Sequence, residues 1–159
     1  MTRPPATGDT APAFSLPTDL GSSVRLSDLQ GQPVVLYFYP KDDTEGCTKE
    51  ACGFRDHWRE IQRAGATVLG VSPDDVGSHA KFRRKYSLPF PLLADLDHAV
   101  TERYGAWGEK SMYGRKYFGV LRTTFLIDRK GRVARVWEKV KVKDHADDVL
   151  AAIRALDNT

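Results

Sequence analysis

Apolar residues occur along this chain in two patterns, as short continuous runs and as positions spaced three or four apart. The longest continuous run, residues 34–39, is rich in β-branched and aromatic side chains and stops at Pro40. Such a run is typical of a strand that is covered on both faces, as in a parallel sheet. Residues 66–71 repeat this pattern, and residues 92–94 predict a third, shorter strand.

Helical spacing fills the segments between these runs. Residues 44–65 carry apolar side chains at helical spacing, which predicts one amphipathic helix with Thr44 as its N-cap and a glycine at its end. A second helix is predicted over residues 72–86, with a proline in its first helical position. A short helix is expected over residues 97–104 and a final amphipathic helix over residues 144–156.

Turn residues mark two hairpins. Near the start of the chain, residues 14–16 and 24–26 flank a Gly-Ser-Ser turn. Near the end, residues 123–128 and 133–137 flank an Asp-Arg-Lys-Gly turn. Residues 106–119 are rich in Gly, Trp, Tyr and Lys and show no period, so this segment is expected to be irregular.

The order of these elements predicts an α/β fold. A strand, a helix and a strand form a βαβ unit, which normally makes a parallel pair with a right-handed crossover. With the later hairpin and the terminal helix, the order fits a thioredoxin-like three-layer sandwich that has a central mixed sheet, flanking helices and an N-terminal β-hairpin. The length of 159 residues predicts one domain, 1–159, in which residues 1–10 form a loose arm.

Composition and charge restrict the classes of function. The chain has 24 basic and 21 acidic residues, and the basic ones are spread along it, so no nucleic-acid partner is expected. The longest apolar run has about six residues, far below the ~20 that span a membrane, and the N-terminus has no apolar run. We therefore expect a cytoplasmic protein. In that compartment two cysteines are more often catalytic, redox-active or metal-binding than a permanent disulfide.

Both cysteines, Cys47 and Cys52, lie in the predicted helix that follows the first buried strand. The thiolate is the reactive form of cysteine, and an ordinary thiol with a pKa of ~8.5 is mostly protonated at neutral pH. Lowering such a pKa by roughly two or three units requires about 3–4 kcal/mol, whereas a helix N-terminus supplies at most ~2 kcal/mol. A cation must supply the rest, and Arg122, which directly precedes a predicted strand, is the best candidate.

The sequence around Cys47 resembles a known active site. The spacing Pro40-x-x-x-Thr44-x-x-Cys47 matches the motif of the peroxiredoxins, and residues 37–56 resemble the bacterioferritin comigratory protein, or peroxiredoxin Q, branch of that family. The resemblance covers nearly the whole chain and includes the segment that begins near Arg122. The motif, the Cys-x4-Cys spacing and the late arginine together make this resemblance specific.

The resemblance implies a thiol-dependent peroxidase that reduces hydrogen peroxide and organic hydroperoxides. In such an enzyme Cys47 is the peroxidatic nucleophile, which peroxide oxidises to a sulfenic acid. Cys52 is the resolving cysteine, which forms an intramolecular disulfide with Cys47. The expected reductant is thioredoxin, with glutaredoxin as the alternative. The resemblance also implies a monomer, no cofactor and a role in antioxidant defence.

The same resemblance gives roles to four other side chains. Thr44 directs its hydroxyl towards the sulfur and the peroxide, and Pro40 shields the sulfur from water. Arg122 stabilises the thiolate and the charge on the departing oxygen, and Glu50 orients Arg122. One departure is Glu45, which stands where the family usually has proline. We expect the carboxylate of Glu45 to face solvent, because near the sulfur it would disfavour the thiolate.

Helix geometry adds a condition on the two cysteines. Residues five apart in an intact helix have Cα atoms roughly 8.7 Å apart, whereas the Cα atoms of a disulfide are rarely more than about 7 Å apart. We therefore predict that the first turns of the helix unwind after oxidation. Gly53, a poor helix former, would ease this unwinding.

Two other classes of protein are alternatives to the peroxidase. A disulfide oxidoreductase of the thioredoxin type would use a Cys-x-x-Cys pair, which this chain lacks. A non-enzymatic basic binding or holdase module would show steep salt dependence and would consume no peroxide. A metal site is not expected, because the histidines lie outside the motif and lack paired ligand spacing; they are His57, His79, His98 and His145.

Overall fold

Residues 4–156 are described by the computed structural model of the chain. The strands, in chain order, are β1 Ser15–Pro17, β2 Ser23–Arg25, β3 Val34–Phe38, β4 Thr67–Ser72, β5 Leu92–Ala94, β6 Trp107–Met112, β7 Arg115–Val120, β8 Thr123–Ile127 and β9 Val133–Trp137. The helices are α1 Glu45–Asp56, α2 Trp58–Arg63, α3 Val76–Tyr86, α4 Ala99–Arg103 and α5 His145–Leu156. None of these helices is both long and apolar enough to cross a bilayer.

A five-stranded sheet in the order β5-β4-β3-β8-β9 forms the centre of the fold. Strands β3, β4 and β5 run parallel to one another, whereas β8 is antiparallel to β3 and β9 is antiparallel to β8. The sheet is therefore mixed, as the sequence predicts. Strands β1 and β2 form the predicted N-terminal hairpin beside it.

Side chains of β3 alternate between two apolar layers, because successive residues of a strand point to opposite faces of a sheet. Val35 and Tyr37 join the layer that contains Phe54 of α1 and also residues of α5. Leu36 and Phe38 join the layer on the other face, to which α4 contributes. Every residue of β3 is buried, which suits a strand covered on both faces. The predicted three-layer, thioredoxin-like sandwich is confirmed.

The single helix predicted over residues 44–65 is wrong, because the structure has two helices there. α1 ends at Asp56 and α2 begins at Trp58, with His57 between them at φ −102° and ψ 8°. The break coincides with a tertiary contact, in which His57 Nε2 lies 2.8 Å from Asp147 Oδ1 of α5. A contact between distant segments leaves no trace in the helical period of residues 44–65.

The predicted start of α3 is also wrong. The helix begins at Val76, with Asp75 as an N-cap whose carboxylate accepts a hydrogen bond from the amide of Ser78. Asp74 instead accepts a hydrogen bond from the hydroxyl of Ser72 at 2.9 Å, which forms a turn ahead of the helix. The side chains of two acids, rather than the proline, therefore decide where the helix starts.

The segment predicted to be irregular, residues 106–119, is largely a hairpin of β6 and β7. Its turn consists of Tyr113 and Gly114, with φ angles of 53° and 79°. Two consecutive positive φ angles are typical of the turn that suits a two-residue hairpin. Because most side chains of β6 and β7 are at least partly exposed, the two strands lack the apolar alternation that reveals a half-buried strand.

The described part of the predicted loose arm lies against the sheet. The amide of Gly8 donates to the carbonyl of Val133 at 2.8 Å, and the amide of Val133 donates to the carbonyl of Asp9 at 2.8 Å. The amide of Ala11 donates to Gly131 at 2.9 Å. These backbone bonds hold residues 8–11 along the β8–β9 hairpin, so this part of the chain is not a loose arm.

Candidate active site

Strand β3 carries the chain from the core to the loop of the candidate site. The amide of Tyr39 still donates to the carbonyl of Val71 at 3.0 Å, which extends the pairing of β3 with β4 by one residue. Pro40 then ends the strand and is partly buried. The chain turns at Asp42 and Asp43, where Asp43 has a φ of 58°, and enters α1.

Thr44 occupies the N-cap position of α1, but its side chain does not cap the helix. The backbone of Thr44 is extended, and its carbonyl accepts the first helical hydrogen bond from Thr48 at 2.8 Å. Its hydroxyl donates to the carbonyl of Lys41 at 2.9 Å instead. The hydroxyl proton is therefore engaged within the loop, and the oxygen keeps lone pairs that can accept a hydrogen bond.

Cys47 lies in the first turn of α1 and is only 1% exposed. Nη2 of Arg122 lies 3.3 Å from the sulfur of Cys47, and Nη1 of the same arginine lies 2.7 Å from Oε1 of Glu50. One guanidinium thus spans a thiol and a carboxyl group. The fork of an arginine suits such a bridge, because its N–H donors have fixed directions.

The sheet explains how Arg122 reaches a cysteine that lies 75 residues earlier in the chain. Strand β8 is antiparallel to β3, and its first residue, Thr123, pairs with Phe38 at the end of β3. Arg122 directly precedes that pair, so it lies at the edge of the sheet from which the loop to α1 departs. The sequence indicates Arg122 only as a candidate, because the antiparallel pairing cannot be read from residue spacing.

Gly46 provides the space that Arg122 occupies, and the sequence reasoning missed it. A Cβ atom built at Gly46 would lie 3.2 Å from Nη2 of Arg122, which is closer than ordinary contact. Both terminal nitrogens of Arg122 are engaged, one at Cys47 and one at Glu50, so the guanidinium has little freedom to withdraw. A glycine directly before the cysteine was visible in the sequence, but its reason lies in this long-range approach.

Glu50 is buried, and burial raises its pKa to about 7 although Arg122 acts to lower it. Its second oxygen, Oε2, has no hydrogen-bond partner among residues 4–156 and lies 4.0 Å from Nε2 of His145. Nε2 of His145 is in turn 2.9 Å from the hydroxyl oxygen of Thr124. Burial lowers the pKa of His145 to about 4, so this ring is neutral at pH 7. No pattern in the sequence predicted that His145 lies beside the site.

Lys110 of β6 adds a second positive charge to the region. Burial lowers the pKa of its ammonium group, the charge of Arg122 lowers it further, and Cys47 acts to raise it. Its Nζ atom lies 5.9 Å from the centre of the Tyr117 ring in β7. The hairpin therefore brings a cation within electrostatic range of the thiol, a contribution that the irregular segment predicted from sequence did not suggest.

Cys52 lies one and a half turns after Cys47 in an unbroken α1, and both thiols are free. Helix geometry then separates the two Cα atoms by roughly 8.7 Å, beyond the reach of a disulfide. Cys52 is partly buried, and burial raises the pKa of its thiol. The folded helix therefore keeps Cys52 both distant from Cys47 and protonated.

Glu45 points away from the sulfur, as predicted. Its side chain is 85% exposed, and its carboxylate lies 3.1 Å from Nζ of Lys49 one turn later in α1. The surface pair neutralises part of its charge. The departure from the usual proline therefore leaves the contact between Cys47 and Arg122 in place.

Comparison with known proteins agrees with this fold and site. The AhpC/TSA family model matches residues 7–136. Peroxiredoxin Bcp of Escherichia coli (strain K12) is 49% identical over 143 residues, which are 90% of this chain and 92% of that protein. The structure of a Xylella fastidiosa PrxQ C47S mutant superposes with a TM-score of 0.92 at 36% identity, covering 98% of this chain and 99% of that one.

A Xanthomonas campestris bacterioferritin comigratory protein, whose structure is described in connection with alkyl peroxide reduction, is also similar. It superposes with a TM-score of 0.88 at 41% identity and covers 94% of this chain and 98% of that one. The chain belongs to the AhpC/TSA family and, within it, to the peroxiredoxins of the bacterioferritin comigratory protein, or peroxiredoxin Q, branch. It is a thiol-dependent peroxidase.

Proposed function

We propose that Cys47 is the peroxidatic nucleophile of this peroxidase. The observation that supports this role is the contact of Arg122 Nη2 with the buried sulfur at 3.3 Å, in the first turn of a helix. In the reaction the thiolate attacks the distal peroxide oxygen and the O–O bond breaks. Sulfur gains that oxygen as a sulfenic acid, and the remaining oxygen leaves with a proton as water or an alcohol.

Arg122 and Glu50 act together in this step. Arg122 stabilises the thiolate before the attack and the charge that develops on the departing oxygen during it. Glu50 holds the other arm of the guanidinium at 2.7 Å and so fixes its direction. A charge-assisted hydrogen bond of this kind, made inside a buried site, stabilises charge more strongly than the same bond in water.

Thr44 and Pro40 bind and shield the peroxide. The hydroxyl of Thr44 donates to Lys41, so its oxygen can accept the O–H proton of a hydroperoxide. Pro40 has no amide proton, so in this proposal it shields the sulfur from water without adding a competing donor. A hydroperoxide bound in this way would be oriented with respect to the sulfur, which reduces the entropic cost of the reaction.

Cys52 is the resolving cysteine in this proposal. After the first turns of α1 unwind, its thiolate attacks the sulfenic sulfur, a disulfide forms and water leaves. Unwinding would also expose the Cys52 thiol, which removes the burial that raises its pKa. The unwinding of α1 would therefore both bring Cys52 close to Cys47 and favour the thiolate form of Cys52.

We infer that thioredoxin is the reductant, and that its dithiol returns two electrons to the disulfide by thiol–disulfide exchange. The proposed acting unit is a monomer with a single domain, 1–159, located in the cytoplasm, where thioredoxin is kept reduced. Hydrogen peroxide and organic hydroperoxides are the proposed substrates. The alkyl peroxide reduction described for the Xanthomonas campestris relative supports the second class.

A coupled assay tests this proposal. Hydrogen peroxide is added to the protein with thioredoxin, thioredoxin reductase and NADPH, and NADPH oxidation is followed. We expect turnover for the wild type and none for Cys47→Ser, whereas Cys52→Ser should consume about one equivalent of peroxide and then stop. Full activity in Cys47→Ser would contradict the assignment of the nucleophile. Turnover with glutaredoxin and glutathione but not with thioredoxin would contradict the reductant.

A further inference from the structure

The loop that precedes Cys47 contains a buried carboxylate, Asp42, that the mechanism above does not use. Its side chain is 4% exposed, although it lies between Pro40 and Thr44 on a surface loop. Oδ1 of Asp42 accepts a hydrogen bond from the Tyr39 hydroxyl at 2.6 Å, and Oδ2 accepts one from the Ser78 hydroxyl at 2.8 Å. A buried carboxylate with this many donors is fixed in position.

His79 of α3 completes the contacts of Asp42. The ring is fully buried, with Nδ1 lying 2.7 Å from Oδ2 of Asp42 and Nε2 lying 2.9 Å from the carbonyl oxygen of Leu93. A carbonyl can only accept, so Nε2 donates to Leu93. Nδ1 is then the ring nitrogen that forms the hydrogen bond with Oδ2 of Asp42. Through this ring, α3 is connected to the loop on one side and to β5 on the other.

A second set of bonds joins the same loop to the same helix. Asp43, with a φ of 58°, lies 2.7 Å from Nζ of Lys85 and accepts a hydrogen bond from the Tyr86 hydroxyl at 2.9 Å. These bonds lower the pKa of Asp43. Both acids of the loop are therefore held by α3, although α3 contacts neither Cys47 nor Arg122 through any hydrogen bond or ion pair described for residues 4–156.

The side chains of Asp42, Asp74 and His79 also offer atoms within 4.8 Å of one another, as a metal site would. Their contacts show a different use. Asp74 Oδ2 accepts from the backbone amide of Asp42 at 2.7 Å and from the Ser72 hydroxyl, while both nitrogens of His79 are already engaged. These three side chains form a hydrogen-bonded cluster that attaches the loop to its neighbours, and this cluster of Asp42, Asp74 and His79 is called the lock below.

We propose that His79 is a positioning residue of the peroxidase reaction, which acts through Asp42 to hold the loop of residues 40–44 over Cys47. The inference rests on the proposed roles of Pro40 and Thr44. It separates two tasks within the site, because Arg122 and the helix stabilise the thiolate, whereas the lock places the groups that receive the peroxide. Loosening the lock should slow peroxide attack without changing the fraction of Cys47 that is thiolate.

Two substitutions of His79 separate its two hydrogen bonds. The amide nitrogen of asparagine lies near the position of Nδ1, so His79→Asn keeps a donor for Asp42 and loses the bond to Leu93. The longer glutamine places its amide near Nε2, so His79→Gln keeps the bond to Leu93 and loses the one to Asp42. A third variant, Ser78→Ala, removes one donor to Asp42 from a partly exposed position and should fold normally.

The rate of peroxide attack is measured in each variant on the Cys52→Ser background, by mixing with hydrogen peroxide in a stopped-flow instrument. Thiolate absorbance at 240 nm is titrated against pH in the same proteins. We expect His79→Gln to react about tenfold or more slowly, since a displacement of about 1 Å costs up to ~100-fold. His79→Asn should restore most of the rate, Ser78→Ala should lower it about threefold, and the titration curves should coincide.

Equal rates of peroxide attack in His79→Gln and His79→Asn would overturn the proposal. Wild-type rates in both His79→Gln and Ser78→Ala would overturn it as well, and so would a thiolate titration curve that shifts together with the rate. Peroxide consumption that persists in Cys47→Ser would instead show that the proposed nucleophile is wrong. If His79→Gln does not fold, the rate and titration of Ser78→Ala decide the question, and a wild-type rate there overturns the proposal.

Discussion

Arg122 forms the central contact at the scale of single residues, because its two terminal nitrogens serve two different acids. One donates to the sulfur of Cys47 and the other to Oε1 of Glu50. Glu50 is buried and has a pKa of about 7, so its charge changes near neutral pH. The pair of Arg122 and Glu50 is neutral above that pH and carries a net positive charge below it.

Glu50 should therefore give the folding stability a pH dependence that Glu50→Gln lacks. The pKa of Glu50 in the folded state is about 7, above the ordinary value of 4.5. Between these two pH values the folded state retains a proton that the unfolded state has lost, so stability falls as pH rises from 4.5 to about 7. The gap between these values corresponds to about 3 kcal/mol.

Urea unfolding of the reduced proteins at pH 4.5 and pH 8 measures this effect. From pH 4.5 to pH 8, the free energy of unfolding of Glu50→Gln should rise by about 3 kcal/mol relative to that of the wild type, because glutamine resembles the protonated acid. Titrating groups that do not contact the Arg122–Glu50 pair are common to both proteins and cancel in the comparison. Parallel stability profiles for the two proteins would contradict the raised pKa of Glu50.

Gly46→Ala should slow peroxide attack although alanine favours a helix. The new Cβ would lie 3.2 Å from Nη2 of Arg122 and lengthen its bond to Cys47. A hydrogen bond to a charged group contributes about 1.5 kcal/mol at the lower end of its range. If the transition state loses that stabilisation, the rate of peroxide attack falls roughly tenfold. Stopped-flow mixing with hydrogen peroxide measures this rate.

Gly53→Ala is the matched control for this substitution, since it adds a Cβ in the same helix that would meet Ala146 at an ordinary 3.4 Å. It should leave the rate of peroxide attack unchanged. Equal rates in Gly46→Ala and the wild type, or equal slowing in both glycine variants, would show that the space beside Arg122 is unimportant.

At the scale of elements, helix α1 carries both cysteines and therefore has two tasks in the proposed mechanism. Its N-terminal loop is attached to α3 through Asp42. Its C-terminal end is attached to α5, where His57 lies 2.8 Å from Asp147. The segment between these attachments contains Cys47 and Cys52, and we predict that it unwinds while both ends remain in place.

Gly53→Ala should slow disulfide formation for this reason. Alanine stabilises an intact helix by ~1 kcal/mol relative to glycine, and unwinding loses that stabilisation. The disulfide should form roughly fivefold more slowly. Acid quenching at intervals after one equivalent of peroxide, followed by thiol counting, gives this rate. An unchanged rate would mean that the helix stays wound at Gly53 when the disulfide forms.

Sequence patterns predict those helices and strands in which burial follows a regular pattern along the element. Strand β3 is buried throughout, so its continuous apolar run predicted it correctly. The β6–β7 hairpin is largely exposed and has no such pattern. The contact between Asp42 and His79 joins residues 37 apart through the packing of α3, so neither residue carries a local signal. Local periodicity predicts elements, whereas the site also depends on contacts between distant segments.

The mixed sheet organises the site at the scale of the whole molecule. Parallel β4 and antiparallel β8 flank β3, so the loop after β3 meets α3 on one side and Arg122 on the other. Through resemblance, the motif around Cys47 indicated both Cys47 and Arg122, which the structure brings into contact; their catalytic roles stay predictions. The motif could not predict the buried acids and histidines, which come together only when these strands pair.

Hydrogen exchange should reveal the redox-dependent change in this arrangement. Amides of residues 47–53 are expected to exchange faster in the disulfide form than in the reduced form, because unwinding breaks their helical bonds. Amides of β3 should remain equally protected in both forms. Equal protection of residues 47–53 before and after oxidation would contradict the unwinding of α1.

The most direct test of the central claim is to add one equivalent of hydrogen peroxide to the reduced protein, then count thiols and measure the intact mass. The wild type should lose both thiols and about 2 Da, as Cys47 and Cys52 form a disulfide. Cys52→Ser should gain about 16 Da at Cys47, as a sulfenic acid. A wild-type protein that keeps two thiols, or a Cys47→Ser variant that is oxidised just as fast, would contradict the account.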